Sequence, residues 1–323
     1  MNRGLSRLRS RLLAAAFFAA AVTALPAGSQ PSLFTLRTSA LNPDPGTAIE
    51  LEVVSSAFDR AAASYQWSVN GIPDSGRSGT GRYQVTIPAG GDGETKKIAV
   101  AVATTTGGRT QQASVTVQAV SAPLYWWADT AVPYWYKGKA LPTLHTTVTA
   151  TALPNIPNAA ALNYRWEFNG ALIPSNSGVG KMSASFTLDF PVEERIRVTM
   201  EQLQGSFKKA AATTAKPLAP AVAIYELRPL RGIVFERALS TFRALDGESY
   251  DFTAHSFYLG TKPQALSYRW TLNNREIEGV SGKPWIVSFT PSIAASSTNQ
   301  LAVEVTDPGT PLGRATAAIR IDR

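Results

Sequence analysis

Tyr65-Gln66-Trp67-Ser68-Val69-Asn70, Tyr164-Arg165-Trp166-Glu167-Phe168-Asn169 and Tyr268-Arg269-Trp270-Thr271-Leu272-Asn273 repeat one phrase, Tyr-x-Trp-x-x-Asn, three times in a single chain. The tryptophans stand 99 and 104 residues apart. That is about the length of one β-sandwich domain and well beyond the roughly 20–50 residues of a solenoid repeat. The period predicts an array of independent domains, with Trp67, Trp166 and Trp270 as their structural core.

The repeat extends to either side of each tryptophan. About thirty residues downstream run the alternating segments Ile98-Val100-Val102, Ile196-Val198-Met200 and Leu301-Val303-Val305. Between lie Tyr83-Val85-Ile87, Phe186-Leu188-Phe190 and Trp285-Val287-Phe289, and upstream Ile49-Leu51-Val53, Leu144-Thr146-Val148 and Tyr250-Phe252-Ala254. Alternation over five to seven residues, bounded by Gly, Pro, Asn and Ser, marks strands with one buried face. Asn70-Gly71 and Asn169-Gly170 predict type I′ hairpin turns, and Asn273-Asn274 a weaker version. A further turn is expected at Gly107-Gly108 and another at Asp307-Pro308-Gly309. No helical period is sustained.

These residues resemble the immunoglobulin-like and PKD-like modules strung in tandem on bacterial surface proteins. Tyr65 through Gly76 is similar to the Y-x-W-x-x-N-G pattern of such Ig-like modules. Trp166-Glu167-Phe168-Asn169-Gly170 resembles the PKD W-D-F-G-D-G turn, with Glu167 in place of the Asp and the second half missing. The resemblance covers nearly all of the chain beyond its N-terminus. It implies an all-β fold of three tandem antiparallel Ig-like or PKD-like sandwiches. The strand order bounds them at 31–119, 122–218 and 220–323, after an N-terminal segment 1–27 that reads as a signal peptide or an uncleaved anchor. It says almost nothing about a ligand, because such folds host many functions. The joints Ser121-Ala122-Pro123 and Lys216-Pro217-Leu218-Ala219-Pro220 contain proline, which restricts φ, so stiff linkers and an elongated rod are expected.

The N-terminus reads as an export signal. Arg3, Arg7, Arg9 and Arg11 precede an apolar run from Leu12 to Ala24, with small residues at Val22-x-Ala24 and at Ala27 offering cleavage points. The run is shorter than the roughly 18–20 residues of a spanning helix. An uncleaved anchor is the alternative, and would be the chain's one contact with a membrane. The formal charge of +8 includes those four arginines, which leaves +4 for the mature chain. So modest a charge disfavours a nucleic-acid partner. Charged residues make up 17 % of the chain, against about 25 % in an average globular domain. There is no cysteine, which removes disulfides, thiolate ligands and Cys nucleophiles.

Catalytic equipment is thin. His145 and His255 fall at outward positions of expected strands, like ordinary surface residues, and no His pair has zinc-ligand spacing. Asp92-Gly93-Glu94 and Asp246-Gly247-Glu248 sit in expected turns, where backbone conformation favours Asp and Gly. An enzyme would need a carboxylate pair converging across a domain cleft, which no motif announces. No cofactor and no metal is implied.

One segment stands out. Leu124 to Lys139 places three of the seven tryptophans and three of the ten tyrosines within twelve residues. Trp126, Trp127, Tyr134, Trp135 and Tyr136 are the candidate binding residues, because exposed aromatics stack on sugars or anchor proteins. In the competing reading they fill a joint between domains. Trp126 and Trp127 cannot both face one core, since successive strand residues point opposite ways. Arg228, Arg231, Arg237 and Arg243, with Lys208 and Lys209, form either a polyanion stripe or a solvated face. The leading reading is a non-enzymatic exported surface protein, scaffold or protein-binding module. The alternative is a carbohydrate-binding or adhesive module using Tyr125 to Tyr136. Its partner would be a surface protein, a wall polymer or a glycan, and its location secreted or on the cell surface.

The export reading fixes a measurable N-terminus. Sequencing of the exported protein is expected to begin near Leu25 or Gly28; an intact Met1 would support the anchor instead.

Overall fold

In the computed structural model the described residues are 19–20, 32–104, 110–260, 262–278, 282–291, 298–310 and 312–322. Apart from 19–20, the expected signal segment lies outside them, as does the expected Gly107-Gly108 turn. Nearly every described element is a strand, with three short 3-10 turns between. The chain divides into two compact units, Met1–Ala122 with Pro154–Leu162 and Met200–Lys209, and Pro123–Leu153 with Asn163–Thr199 and Ala210–Arg323.

The strands assemble three sandwiches on one plan. In the first, Ala48–Val54 lies between Thr35–Thr38 and Gln84–Pro88. Opposite it stands a sheet in the order Ile72–Pro73, Ser64–Val69, Thr95–Ala103, Thr110–Gln118. The second repeats this with Leu124–Ala128, Thr147–Ala152 and Ser183–Thr187 on one side. Asn163–Phe168, Glu194–Glu201 and Lys208–Ala215 form the other. The third uses Ala221–Arg228, Tyr250–Phe257 and Ile286–Phe289 against Ser267–Leu272, Thr298–Thr306 and Arg314–Asp322. Three strands facing a sheet built on the third, sixth and seventh is the Ig-like arrangement, and the core lies between the sheets.

Strand alternation fills that core. Ile98, Val100 and Val102, then Ile196, Val198 and Met200, then Leu301, Val303 and Val305 are all buried. Trp67, Trp166 and Trp270 are 1 %, 0 % and 1 % exposed. Every member of the repeated phrase has a bonding reason to be there. Each indole N–H donates to a carbonyl fourteen or fifteen residues on: Trp67 to Arg82 at 2.9 Å, Trp166 to Lys181 at 2.8 Å, Trp270 to Pro284 at 3.0 Å. The phenols of Tyr65 and Tyr268 donate five residues back, to Arg60 and Pro263. The asparagine does two things. It takes the turn conformation, with φ of 53°, 50° and 49° at Asn70, Asn169 and Asn273. Its Oδ1 also accepts the backbone N–H of the sixth strand's edge, from Lys97, Arg195 and Gln300, at 2.8, 2.8 and 2.9 Å.

Some expectations need correction. The second strand of the middle sandwich begins at Thr147, so His145 is a turn residue with φ +64° rather than a strand residue. Alternation through Phe186 and Leu188 stops before Phe190, which is 62 % exposed. Buried Glu194 captures the Phe190 N–H at 3.0 Å and turns the chain outward there. Trp285 precedes its strand.

The first strand of each sandwich is split. Its second part crosses to the last strand: Leu41 and Pro43 accept from Gln118 and Val120, Thr143 bridges Leu218 in parallel, and Thr241–Arg243 pairs in parallel with Arg320 to Asp322. Between the two parts run only two residues in the first sandwich, but residues 129–142 in the second and 229–240 in the third. The aromatic segment is therefore an insertion at the kink of a split strand.

Replacing Trp166 by Ala removes a fully buried ring and its hydrogen bond. Chemical denaturation is expected to show a loss of about 3–5 kcal/mol, and a change below about 1 kcal/mol would place this tryptophan outside the core.

Candidate functional site

The strand Leu124–Ala128 sits at the edge of its three-stranded sheet, so its side chains alternate between the core side and the outer face. Tyr125 and Trp127 point outward and are 59 % and 50 % exposed. Trp126 points the other way and is half-buried. The Lys139 ammonium lies 3.0 Å from its ring centroid, a cation–π contact, and partial burial holds the lysine pKa below its usual value.

Beyond Ala128 the chain leaves the sheet and reaches the third sandwich, within the same compact unit. Ala131 exchanges backbone hydrogen bonds with that sandwich, donating to Leu259 at 2.7 Å and accepting from Tyr258 at 2.8 Å. Trp135 then lies against the outer face of Tyr250–Phe257. Its indole meets His255 edge-on at 4.5 Å and Tyr225 at 5.8 Å, and stacks on Phe235 at 5.7 Å. Tyr136 packs on Phe257 at 5.6 Å and its hydroxyl bonds that of Tyr258 at 2.7 Å. Burial and that bond push the Tyr258 pKa up to about 12. Gly138 lets this happen, because the Tyr136 ring occupies the space where a Cβ would stand.

The candidate residues thus fall into three places. Trp135 and Tyr136 form a strap on the third sandwich. Trp126 is capped by Lys139. Trp127 and Tyr134, the latter 85 % exposed, face solvent. A flat exposed array over 134–136 is absent: the Tyr134 and Trp135 rings meet at 87°.

His255 also needs correction. Its strand position is outward, as expected, but the strap covers that face. Its Nε2 lies 3.1 Å from Thr253 Oγ1, and burial pushes the imidazole pKa down to about 4. Four of the six basic residues have acidic neighbours. Arg228 bonds Glu226 at 2.8 Å, Arg231 approaches Glu236 at 3.8 Å, Lys208 lies 3.7 Å from Glu201, and buried Lys209 pairs with Asp44 at 2.8 Å. Asp92 accepts from the Ser121 hydroxyl, the Ser121 N–H and the Asn155 amide, which lowers its pKa. Among the described residues no group of three or more His, Asp or Glu is placed to hold a metal ion, and no helix is long and apolar enough to cross a membrane.

The sequence reading named Trp127 and the segment from Tyr125, but not the hydroxyl rows that share their outer face. Cross-strand register places Tyr125 opposite Thr151, which is opposite Ser183, and Trp127 opposite Thr149, which is opposite Ser185. The hydroxyls pair across the strands, Thr151 with Ser183 at 2.7 Å and Thr149 with Ser185 at 2.9 Å. Two parallel rows result, each one aromatic and two hydroxyls long. The alternating Ser and Thr were visible in the sequence, but their alignment with the aromatics depends on register.

No family model matches this sequence, and no curated protein matches it. Among solved structures the chain is similar to the central fibronectin-III array of RIM-binding protein, with 11 % identity over 88 % of this chain and 95 % of that one and a TM-score of 0.32. It is similar to the three N-terminal domains of the bacteriophage RB49 Highly Immunogenic Outer Capsid protein, at 11 % identity, 90 % and 97 % coverage and a TM-score of 0.28. A third is the Bacteroides ovatus protein SGBP-B in complex with mixed-linkage heptasaccharide, at 10 % identity, 95 % and 70 % coverage and a TM-score of 0.21. At such scores the Ig-like assignment rests on the strand order of this chain.

Acid should loosen the strap. The folded His255 pKa, about 4, lies below the roughly 6.5 of an unfolded histidine, so the unfolded chain binds the extra proton between those values. The stability associated with neutral His255 is complete above about pH 6.5 and falls as pH drops toward 4, by at most about 3 kcal/mol. Hydrogen bonds from Arg77, Ser121 and Arg269 hold the carboxyls of Asp74, Asp92 and Glu304 below their ordinary values. Melting temperature measured from pH 7 to 4.5 is expected to fall more steeply for the native chain than for His255→Gln; parallel curves would contradict it.

Proposed function

We propose that this chain is a non-enzymatic, exported protein of the bacterial cell surface, whose Ig-like sandwiches act as a scaffold or bind another protein. The observation that carries the scaffold reading is the strap. The rings of Trp135 and Tyr136, the Ala131 backbone exchange and the Tyr136–Tyr258 phenol bond fix a segment of the second sandwich on the third. Both rings are half-buried against the third sandwich, and the area they cover there contributes to cohesion between the two sandwiches. The arginine-rich, apolar N-terminus supports export. A carbohydrate-binding or adhesive role is the second reading, favoured by the exposed Tyr125 and Trp127.

Calorimetry on the full chain tests the scaffold. The second and third sandwiches are expected to unfold in one cooperative transition, and Trp135→Ala to split it, lowering the third sandwich's part by about 1–3 kcal/mol. An unchanged profile in Trp135→Ala would mean that the strap fixes nothing.

A further inference from the structure

We propose that the outer face of the second sandwich's three-stranded sheet is a platform for an uncharged polysaccharide, on which Tyr125 and Trp127 stack against sugar rings. The proposal rests on the binding-module reading and gives it a ligand class and a place. Tyr125 and Trp127 stand two residues apart on one face, about 6.7 Å along the strand. Each heads a row that runs about 10 Å across three strands through a threonine and a serine. A hydroxyl has one O–H to donate and two lone pairs. The Thr151–Ser183 and Thr149–Ser185 bonds use one donor per pair and leave the second O–H of each pair, with spare lone pairs, for a ligand. The face is thus two apolar rings beside hydrogen-bonding groups that both donate and accept. A sugar chain offers the matching alternation of C–H faces and hydroxyls.

Charge selects among partners. None of these six positions holds Asp, Glu, Lys, Arg or His. A nucleic acid or acidic polymer needs cations to displace its counterions, and this face supplies none. The equivalent face of the first sandwich carries Glu50 and Glu52 on its central strand, with Arg37 opposite Glu52. That of the third lies under the strap. A protein hot spot clusters in a well-packed, desolvated pocket, whereas Tyr125 and Trp127 stand 59 % and 50 % exposed on an edge strand. Uncharged, aromatic and hydroxyl-lined, the second sandwich's face matches a neutral glycan.

Affinity electrophoresis of the full chain through gels containing xylan, galactomannan, soluble cellulose derivative or glycol chitin, with alginate and heparin as anionic counterparts, tests this. Retardation is expected in at least one neutral gel and weaker or none in the anionic ones. Trp127→Ala and Tyr125→Ala should each weaken retention several-fold, with melting temperature unchanged. Thr149→Val should weaken it less. No retardation in any neutral gel, stronger retardation by alginate or heparin, or native retention in both alanine variants overturns the proposal. If it fails while the calorimetric transition of the second and third sandwiches stays fused, the glycan is removed and the scaffold reading is untouched; if both fail, neither stands.

Discussion

The three sandwiches depend on one arrangement, a buried tryptophan whose indole N–H must find an acceptor inside the core. An unpaired donor there would cost about 1–3 kcal/mol. The chain meets the requirement with a carbonyl fourteen or fifteen residues downstream, which ties the third strand to the segment entering the fifth. The neighbouring Tyr and Asn follow from the same need. Tyrosine secures the loop before the strand, and asparagine binds the start of the sixth. Three side chains thus hold four parts of the sandwich in register without a disulfide.

Once each core is self-sufficient, variation moves to the kink of the split first strand. Two residues suffice there in the first sandwich. The second and third place long insertions at this point, and the two meet where Trp135 stacks on Phe235. The insertion also sorts the aromatics. Those that leave the sheet at 135 and 136 are half-buried against the third sandwich. Those still on the strand at 125 and 127 keep one face in water. The same composition therefore yields cohesion at one end of the segment and an accessible surface at the other.

The fold was legible because its signals are local. Alternation at Ile98-Val100-Val102 and the Asn-Gly turns each depend on a few neighbouring residues, and the threefold phrase multiplies them. The site was legible only in part. That Trp126 and Trp127 face opposite ways followed from strand geometry. That Lys139 would cap Trp126, that His255 would lie beneath Trp135, and that Thr149 and Ser185 would align with Trp127 did not. Each joins residues from thirteen to more than a hundred positions apart, through register or docking, and no local pattern encodes it. His145 was misplaced for a related reason: apolar alternation continued through a turn whose backbone reverses at φ +64°.

Indole hydrogen exchange reads the central claim directly. With nitrogen-labelled tryptophan, each indole N–H is a separate signal whose exchange reports its own burial. Trp67, Trp166 and Trp270, bonded to carbonyls in the cores, are expected to exchange only on unfolding of their sandwich, while Trp127 exchanges at nearly the rate of free indole. Fast exchange at Trp166, or protection of Trp127 equal to the core tryptophans, would contradict the account.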